Sequence, residues 1–512
     1  MWSGKLKLES RTSKSIVNIS ASLINKILKL VLQFVVRTIF IYFLGKEYLG
    51  INGLFASIIS LLSLADLGFG VALPFSLYKP LAENDEEKIK SIMGLYSKVY
   101  RIIGISVLGI GCSITPFLQS IIKDMPDIPN IIYIYILFVL NSAVSYFFTY
   151  KRSLIIADQK GYIVTFIESI FTILLTIAQI IVIVVFKNYI LYLCMGIIST
   201  VLQNIYISYK CNRIYPFLNN RNFTKLKKEE KKQLSKNIGA LFIYKLAMVI
   251  ETGTDNIVIS TFLGIAYVGL YSNYLLIIDS IKNVLMLAVN SLTASIGNVI
   301  ASEDNEKSYL LFKAIDMICI ICYGISSIAI CILINPFINL WIGKEYLLDS
   351  YVVLALGINF YIFGSQNTTS SFRNAYGLFW QGRYRPIVMI LSNLFLSIIL
   401  VQYVGLVGVF IGTIISRLIS VGVMDYYVVH KYGFKKSVMP YILKKVMYFF
   451  VVCIIGLLSY IIASFIKGNT LIFLILKAIC ICISSLILFL LFFRKKEEFK
   501  YVMSLIYKGL KK

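Results

Sequence analysis

Charge is scarce in this chain. Asp, Glu, Lys and Arg together supply 15% of 512 residues, against roughly 25% in soluble globular domains. Acid is scarcer than base, at 25 residues against 50, and His430 is the only histidine. A Cys/His metal centre is therefore not expected. The nine cysteines lie mostly inside apolar segments, and Cys319-x-x-Cys322, with no second pair to complete a site, reads as small packing residues rather than metal or redox chemistry. Long polar stretches are missing as well, so no segment can hold a soluble catalytic domain, and the chain is not expected to be an enzyme. The first apolar run is long, carries internal lysines and lacks a small-residue cleavage site, so it reads as a retained segment rather than a signal peptide.

Apolar sequence fills the space. Hydrophobic residues make up 58% of the chain, mean hydropathy is +0.82, and runs of about 20 residues, long enough to cross a bilayer, recur from 16–44 to 470–493. The expected fold class is an all-α polytopic membrane protein with about fourteen transmembrane helices. Lys and Arg concentrate in the N-terminus, the 79–90 turn, 151–160, 210–236, 373–385, 431–445 and the tail from Arg494, whereas alternate connections offer little beyond Lys46, Lys123, Lys187, Lys344 and Lys467. By the positive-inside rule both termini are cytoplasmic. Most of the net charge of +25 then serves orientation and attraction to anionic lipid, so no nucleic acid partner is implied.

The run before Gly45 breaks the apolar rule. Lys26, Lys29 and Arg37 lie inside it, each costing about 2.5–3.5 kcal/mol at mid-bilayer. At 100° per residue they share one arc of about 100° with Asn18, Ser22 and Gln33. One face of this helix meets lipid and the other meets water or an anion.

An internal repeat fixes the architecture. Phe43-Leu44-Gly45-x-x-Tyr48-x-Gly50 returns as Phe262-Leu263-Gly264-x-x-Tyr267-x-Gly269, displaced by 219 residues (45 to 264), and the same register carries Lys26 to Lys245 and Ala82-x-x-Asp85-x-Glu87-Lys88 to Ala301-x-x-Asp304-x-Glu306-Lys307. Two pseudo-symmetric six-helix lobes, 1–209 and 237–430, are expected, joined by a basic cytoplasmic linker at 210–236 and followed by two extra helices and a basic tail at 431–512. The linker fits either a helix on the lipid surface or a solvated tether. Lys26 and Lys245 then become equivalent cations on the first helix of each lobe. Gln33 answers to Thr252 and Arg37 to Asn256. The eighth helix carries a similar stripe in which Asp279 and Lys282 fit a structural ion pair or a substrate or ion role. Glu251 and Asp255, one turn apart, fit coupling to a proton or Na⁺, because neighbouring carboxylates can share a cation.

Leu44-Gly45-x-x-Tyr48-Leu49-Gly50, Ala65-Asp66-Leu67-Gly68 with Ala72-Leu73, and Leu340-Trp341-Ile342-Gly343 resemble Wzx-type flippases of lipid-linked polysaccharide repeat units, within the multidrug/oligosaccharidyl-lipid/polysaccharide exporter superfamily. The resemblance implies a MATE-like fold and alternating access. It also implies basic residues, here Lys26, Lys245 and Arg37, that hold the diphosphate of a polyprenyl-linked oligosaccharide, with Lys29, Gln33, Thr252, Asn256 and Lys282 beside them. It implies a bacterial cytoplasmic membrane, no organic cofactor, and a polymerase and glycosyltransferases in the same pathway, whether capsule, O-antigen or teichoic acid. The alternatives are a lipid II flippase, whose Ser-Arg-x-x-Gly-x-x-Arg-Asp/Glu pattern the first helix lacks, and a multidrug cation exporter, which would want acid where Lys26 stands.

Overall fold

The structure, a computed structural model, describes residues 11–63, 69–123, 125–147, 149–219, 253–291, 296–297, 299–300, 304–468 and 470–510. Lys245, Glu251, Thr252, Asp66 and most of the linker lie outside them. Regular structure among the described residues is helical throughout. In chain order the helices are α1 (Arg11–Leu62), α2 (Phe69–Ala82), α3 (Glu86–Ile114), α4 (Ile131–Tyr146), α5 (Thr149–Ala157), α6 (Gly161–Ile181), α7 (Tyr189–Ile214), α8 (253–263), α9 (Ile265–Ser291), α10 (Asn305–Trp341), α11 (Ser350–Ser365), α12 (Asn367–Ala375), α13 (Arg385–Val404), α14 (Leu406–Phe434), α15 (Met439–Ser464), α16 (Leu471–Phe493) and α17 (Glu497–Leu510). Nine helices among the described residues are long and apolar enough to span a membrane, or ten if the bent pair α4 and α5 is one span. The chain is a multi-pass membrane protein.

The repeat seen in the sequence is also a repeat of backbone conformation. Gly45 interrupts α1 at φ 82°, and its counterpart Gly264 separates α8 from α9 at φ 100°. Both angles lie in the left-handed region that glycine enters without a Cβ penalty, so an apolar run that would otherwise continue as one helix turns at the same point in both halves. Forty residues after each glycine the next matched element starts under the same side-chain cap. The Asp85 carboxylate accepts the Lys88 N–H at 2.9 Å, and Asp304 accepts that of Lys307 at 2.9 Å, each satisfying an orphan donor of the first helical turn.

Two compact units divide the chain, Met1–Gly269 and Leu270–Lys512. The core of the first gathers Leu73 and Leu77 of α2, Tyr96, Tyr100 and Val107 of α3, Leu154 and Ile155 of α5, and Ile207 of α7. The helix expected to open the second half, α8, packs inside this first unit. Asn256 Nδ2 donates to Ser57 Oγ at 2.9 Å, Ser260 and Thr261 donate to the Ile121 carbonyl, and Lys123 Nζ reaches the Phe262 carbonyl at 2.9 Å. The segments that follow Gly45 and Gly264 meet reciprocally. A Cβ on Gly50 would lie 2.1 Å from the Ile265 carbonyl oxygen, and one on Gly269 would lie 2.2 Å from that of Lys46. Only hydrogen allows this approach.

In the second unit the two helices beyond the repeat belong to the core. Tyr448 and Val452 of α15 and Ile481, Phe489 and Phe493 of α16 close on Met317, Ile320 and Ile328 of α10, and Ser459 and Ser485 hydrogen-bond across α15 and α16 at 2.9 Å.

Candidate functional site

In the first unit the polar stripe of α1 lies against α6. Asn25 Nδ2 donates to the Thr165 carbonyl at 3.1 Å, which sets the rotation of the helix. One turn on, Lys29 Nζ stands 3.5 Å from Glu168 Oε2, and Arg152 Nη2 of α5 stands 2.7 Å from Glu168 Oε1. Lys26 is exposed and has no ion-pair partner among the described residues. Two cations, Lys29 and Arg152, therefore share the Glu168 carboxylate, and Lys26, one turn before Lys29 on α1, adds a third positive charge with no acid paired to it among the described residues. Gln33 is exposed on the same stripe. Arg37, two turns beyond Lys29, is half-buried and close enough to Tyr192 for electrostatic interaction, beside an aromatic group of Phe40, Tyr189 and Tyr192 with ring centroids 5.6 to 5.7 Å apart. The amide of Asn256 is taken up by Ser57 and is 7% exposed, which makes it a packing contact between α8 and the second limb of α1. Asp255 beside it is also buried.

The second unit builds a separate cationic group. Lys282 Nζ of α9 lies 3.9 Å from Asp279 Oδ1 and 4.2 Å from the centroid of Phe363 on α11. The guanidinium of Arg417, from α14, sits 5.0 Å from the same ring and donates to the Asn359 carbonyl at 3.4 Å. Two cations thus share one aromatic ring, with Asp279 as the nearby acid. The sequence reading found Asp279 and Lys282 but not Arg417 or Phe363. The available signal was an arginine at the end of an apolar run; its meeting with Lys282 requires three helices more than 50 residues apart to converge.

Two further charged groups are structural. Asp425 of α14 receives Arg373 Nη1 at 3.0 and 2.7 Å and Arg385 Nη1 at 3.2 Å, where α14 widens to π-helical geometry over Leu418–Asp425. Asp316 of α10 receives Lys445 Nζ at 2.6 Å and Tyr441 Oη at 3.2 Å, while Lys445 also donates to the Ser365 carbonyl, pinning α15 to α10 and α11. An apolar cavity of about 350 Å³ opens between these helices, lined by Ile328, Cys331, Ile358, Phe449, Val452 and Leu457 among others.

No family model matches the chain, and no curated protein matches it in sequence. Solved structures do match in fold. The lipid II flippase MurJ in an inward closed conformation superposes with a TM-score of 0.65 at 15% identity, over 94% of this chain and 99% of that one. An inward-facing multidrug resistance MATE transporter of the MOP superfamily gives 0.63 at 16% identity over 82% and 98%. A Vibrio cholerae MATE transporter gives 0.55 at 15% identity over 84% and 99%. At these identities the likeness is one of fold.

Proposed function

From a fold shared with a flippase and with multidrug exporters, we propose that this chain flips a polyprenyl-diphosphate-linked oligosaccharide across the cytoplasmic membrane by alternating access. The observation that carries the reading is the excess of cation along α1, where Lys29 shares the Glu168 carboxylate with Arg152 of α5 and the exposed Lys26 has no ion-pair partner among the described residues. A transporter of organic cations gains nothing from such a stripe, whereas a diphosphate supplies the missing negative charge. Lys282 and Arg417 offer a second cationic group in the other unit, and Lys245, by the repeat, a counterpart to Lys26. The polyprenyl chain would lie against apolar surface such as the cavity between α10, α11 and α15. Glu251, Asp255 and Asp279 are proposed to couple transport to a proton or Na⁺ gradient.

Lipid II is the second reading, favoured by the 94% coverage of this chain by a lipid II flippase structure. One experiment separates the possibilities. The chain is reconstituted in vesicles carrying either a fluorescent polyprenyl-diphosphate oligosaccharide or lipid II, under imposed proton or Na⁺ gradients. Transport of the first lipid should fall at least tenfold in Lys26→Ala and survive in Lys26→Arg, and the Glu251→Gln/Asp255→Asn variant should lose its dependence on the gradient. Wild-type rates in a Lys26→Ala/Lys245→Ala variant would overturn the reading, and preferential movement of lipid II would select the alternative.

A further inference from the structure

α16 carries one cation within its apolar length, Lys477, in the second turn after Leu471. Its neighbours Ile475, Leu476 and Ile479 are exposed, as residues facing hydrocarbon are, yet Lys477 itself is half-buried. It lines a cavity of about 250 Å³ together with Asn335 and Asn339 of α10, Leu347 and the N-cap of α16, Thr470. None of the lining residues is acidic. Asn335 is fully engaged, its carbonyl accepting from Tyr274 Oη and its amide donating to the Leu348 carbonyl at 3.0 Å. Lys477 and Asn339, by contrast, take part in no hydrogen bond or ion pair among the described residues, and the Thr470 side chain makes no capping bond.

An ammonium offers three donors and no acceptor, and an amide and a hydroxyl add more donors beside it. With no carboxylate lining the cavity, this set selects an anion. A cavity below the roughly 300 Å³ at which drug-sized sites begin takes a headgroup rather than a chain of sugars. Leu347, Gly468 and Thr470, which line it, belong to connections that the distribution of Lys and Arg assigns to the outside. Beside it Ile475, Leu476 and Ile479 of α16 leave exposed apolar surface against which lipid tails can pack. We infer that Lys477, Asn339 and Thr470 form a binding site for the phosphate of a lipid headgroup in the outer leaflet.

The purified full-length chain, examined by native mass spectrometry, provides the test. It is titrated separately with phosphatidylglycerol, with a polyprenyl diphosphate and with inorganic phosphate, and the Lys477-dependent component is read as the difference between variants. Lys477→Met, which keeps the apolar stem, and Asn339→Leu should each weaken the tightest lipid-binding step about tenfold, whereas Lys477→Arg should leave it within about twofold. Loss of phosphatidylglycerol alone identifies a resident membrane lipid; loss of polyprenyl diphosphate alone identifies a landing point for a flipped lipid. Either result supports the site. Unchanged binding of both lipids in Lys477→Met and Asn339→Leu overturns it, as does a Lys477-dependent step seen only with inorganic phosphate.

Discussion

Asp425 is completely buried between two arginines, and its energetics differ from those of Glu168, which also faces two cations. Lys29 and Arg152 remain more than 40% exposed, so solvent screens their attraction to Glu168 and each pair contributes at most about 1 kcal/mol to stability. Arg373 and Arg385 are buried, and removing their shared carboxylate would leave uncompensated charge in a medium that cannot solvate it. Asp425→Asn should therefore destabilise the second unit by about 3–5 kcal/mol, read as a lowered unfolding temperature in detergent. Glu168→Gln should barely move it. Equal shifts for the two variants would show that Asp425 is better solvated than its geometry implies. The same contrast marks the α1 stripe as spare charge, available to a ligand, and the Asp425 group as a clamp.

At the scale of elements, Gly50 and Gly269 hold the second limb of α1 against the start of α9. An added methyl at either position would sit near 2 Å from a backbone carbonyl, and backbone cannot rotate away as a side chain can. Cysteines introduced as Lys46→Cys and Ile265→Cys in a cysteine-free background should be joined by a short crosslinker, and crosslinking should stop transport until it is reversed. Adding Gly50→Ala should slow that crosslinking several-fold. An unchanged rate would mean that the two segments do not depend on the glycines for their approach. The turns were legible in the sequence because they rest on a local rule, a residue that tolerates left-handed φ; Asp85 and Asp304 stood out there only as members of the repeat, and their capping of free N–H groups is seen in the structure. Whether α8 packs on its own half was not legible, since Asn256 to Ser57 is a contact across 199 residues that no local pattern encodes.

The whole molecule was legible in proportion to how far each feature depends on composition. Apolar length and the placement of Lys and Arg predict a polytopic helical protein, and the nine helices among the described residues that are long and apolar enough to span fall on the apolar runs, whereas α5 and α17 form outside them. The charged groups follow a different logic. Lys26, Lys29 and Arg37 stood out because charge in an apolar run is costly, whereas Arg417, Arg373 and Lys445 acquire their roles only when distant helices bring Phe363, Asp425 and Asp316 to them. The tail joins the second unit in the same way. Glu497 and Glu498 at the start of α17 bind Lys313 at 2.9 Å and Lys444 at 2.7 Å. Burial works to raise the Glu498 pKa, but hydrogen bonds from Lys444 and Tyr448 outweigh it, and the group titrates below its ordinary 4.5; Glu497 is likewise lowered, by its hydrogen bond to Lys313. A depressed carboxylate stabilises the folded arrangement above its unfolded pKa and loses that contribution as pH falls through the folded value. Hydrogen exchange in α17 should therefore accelerate as pH is taken below 4.5, after correction for the intrinsic rate, while α10 stays protected; equal acceleration in both would place the acid-sensitive contacts elsewhere. The glycine contact carries one more consequence. Because Gly50 meets Ile265 while Gly269 meets Lys46, each half presents both the gap and the carbonyl that fills the other's gap, the self-complementarity of a twofold dimer interface. Two separate copies of a single half-length chain would already possess that contact complete, so that joining them end to end into one polypeptide requires no new surface at the place where they touch.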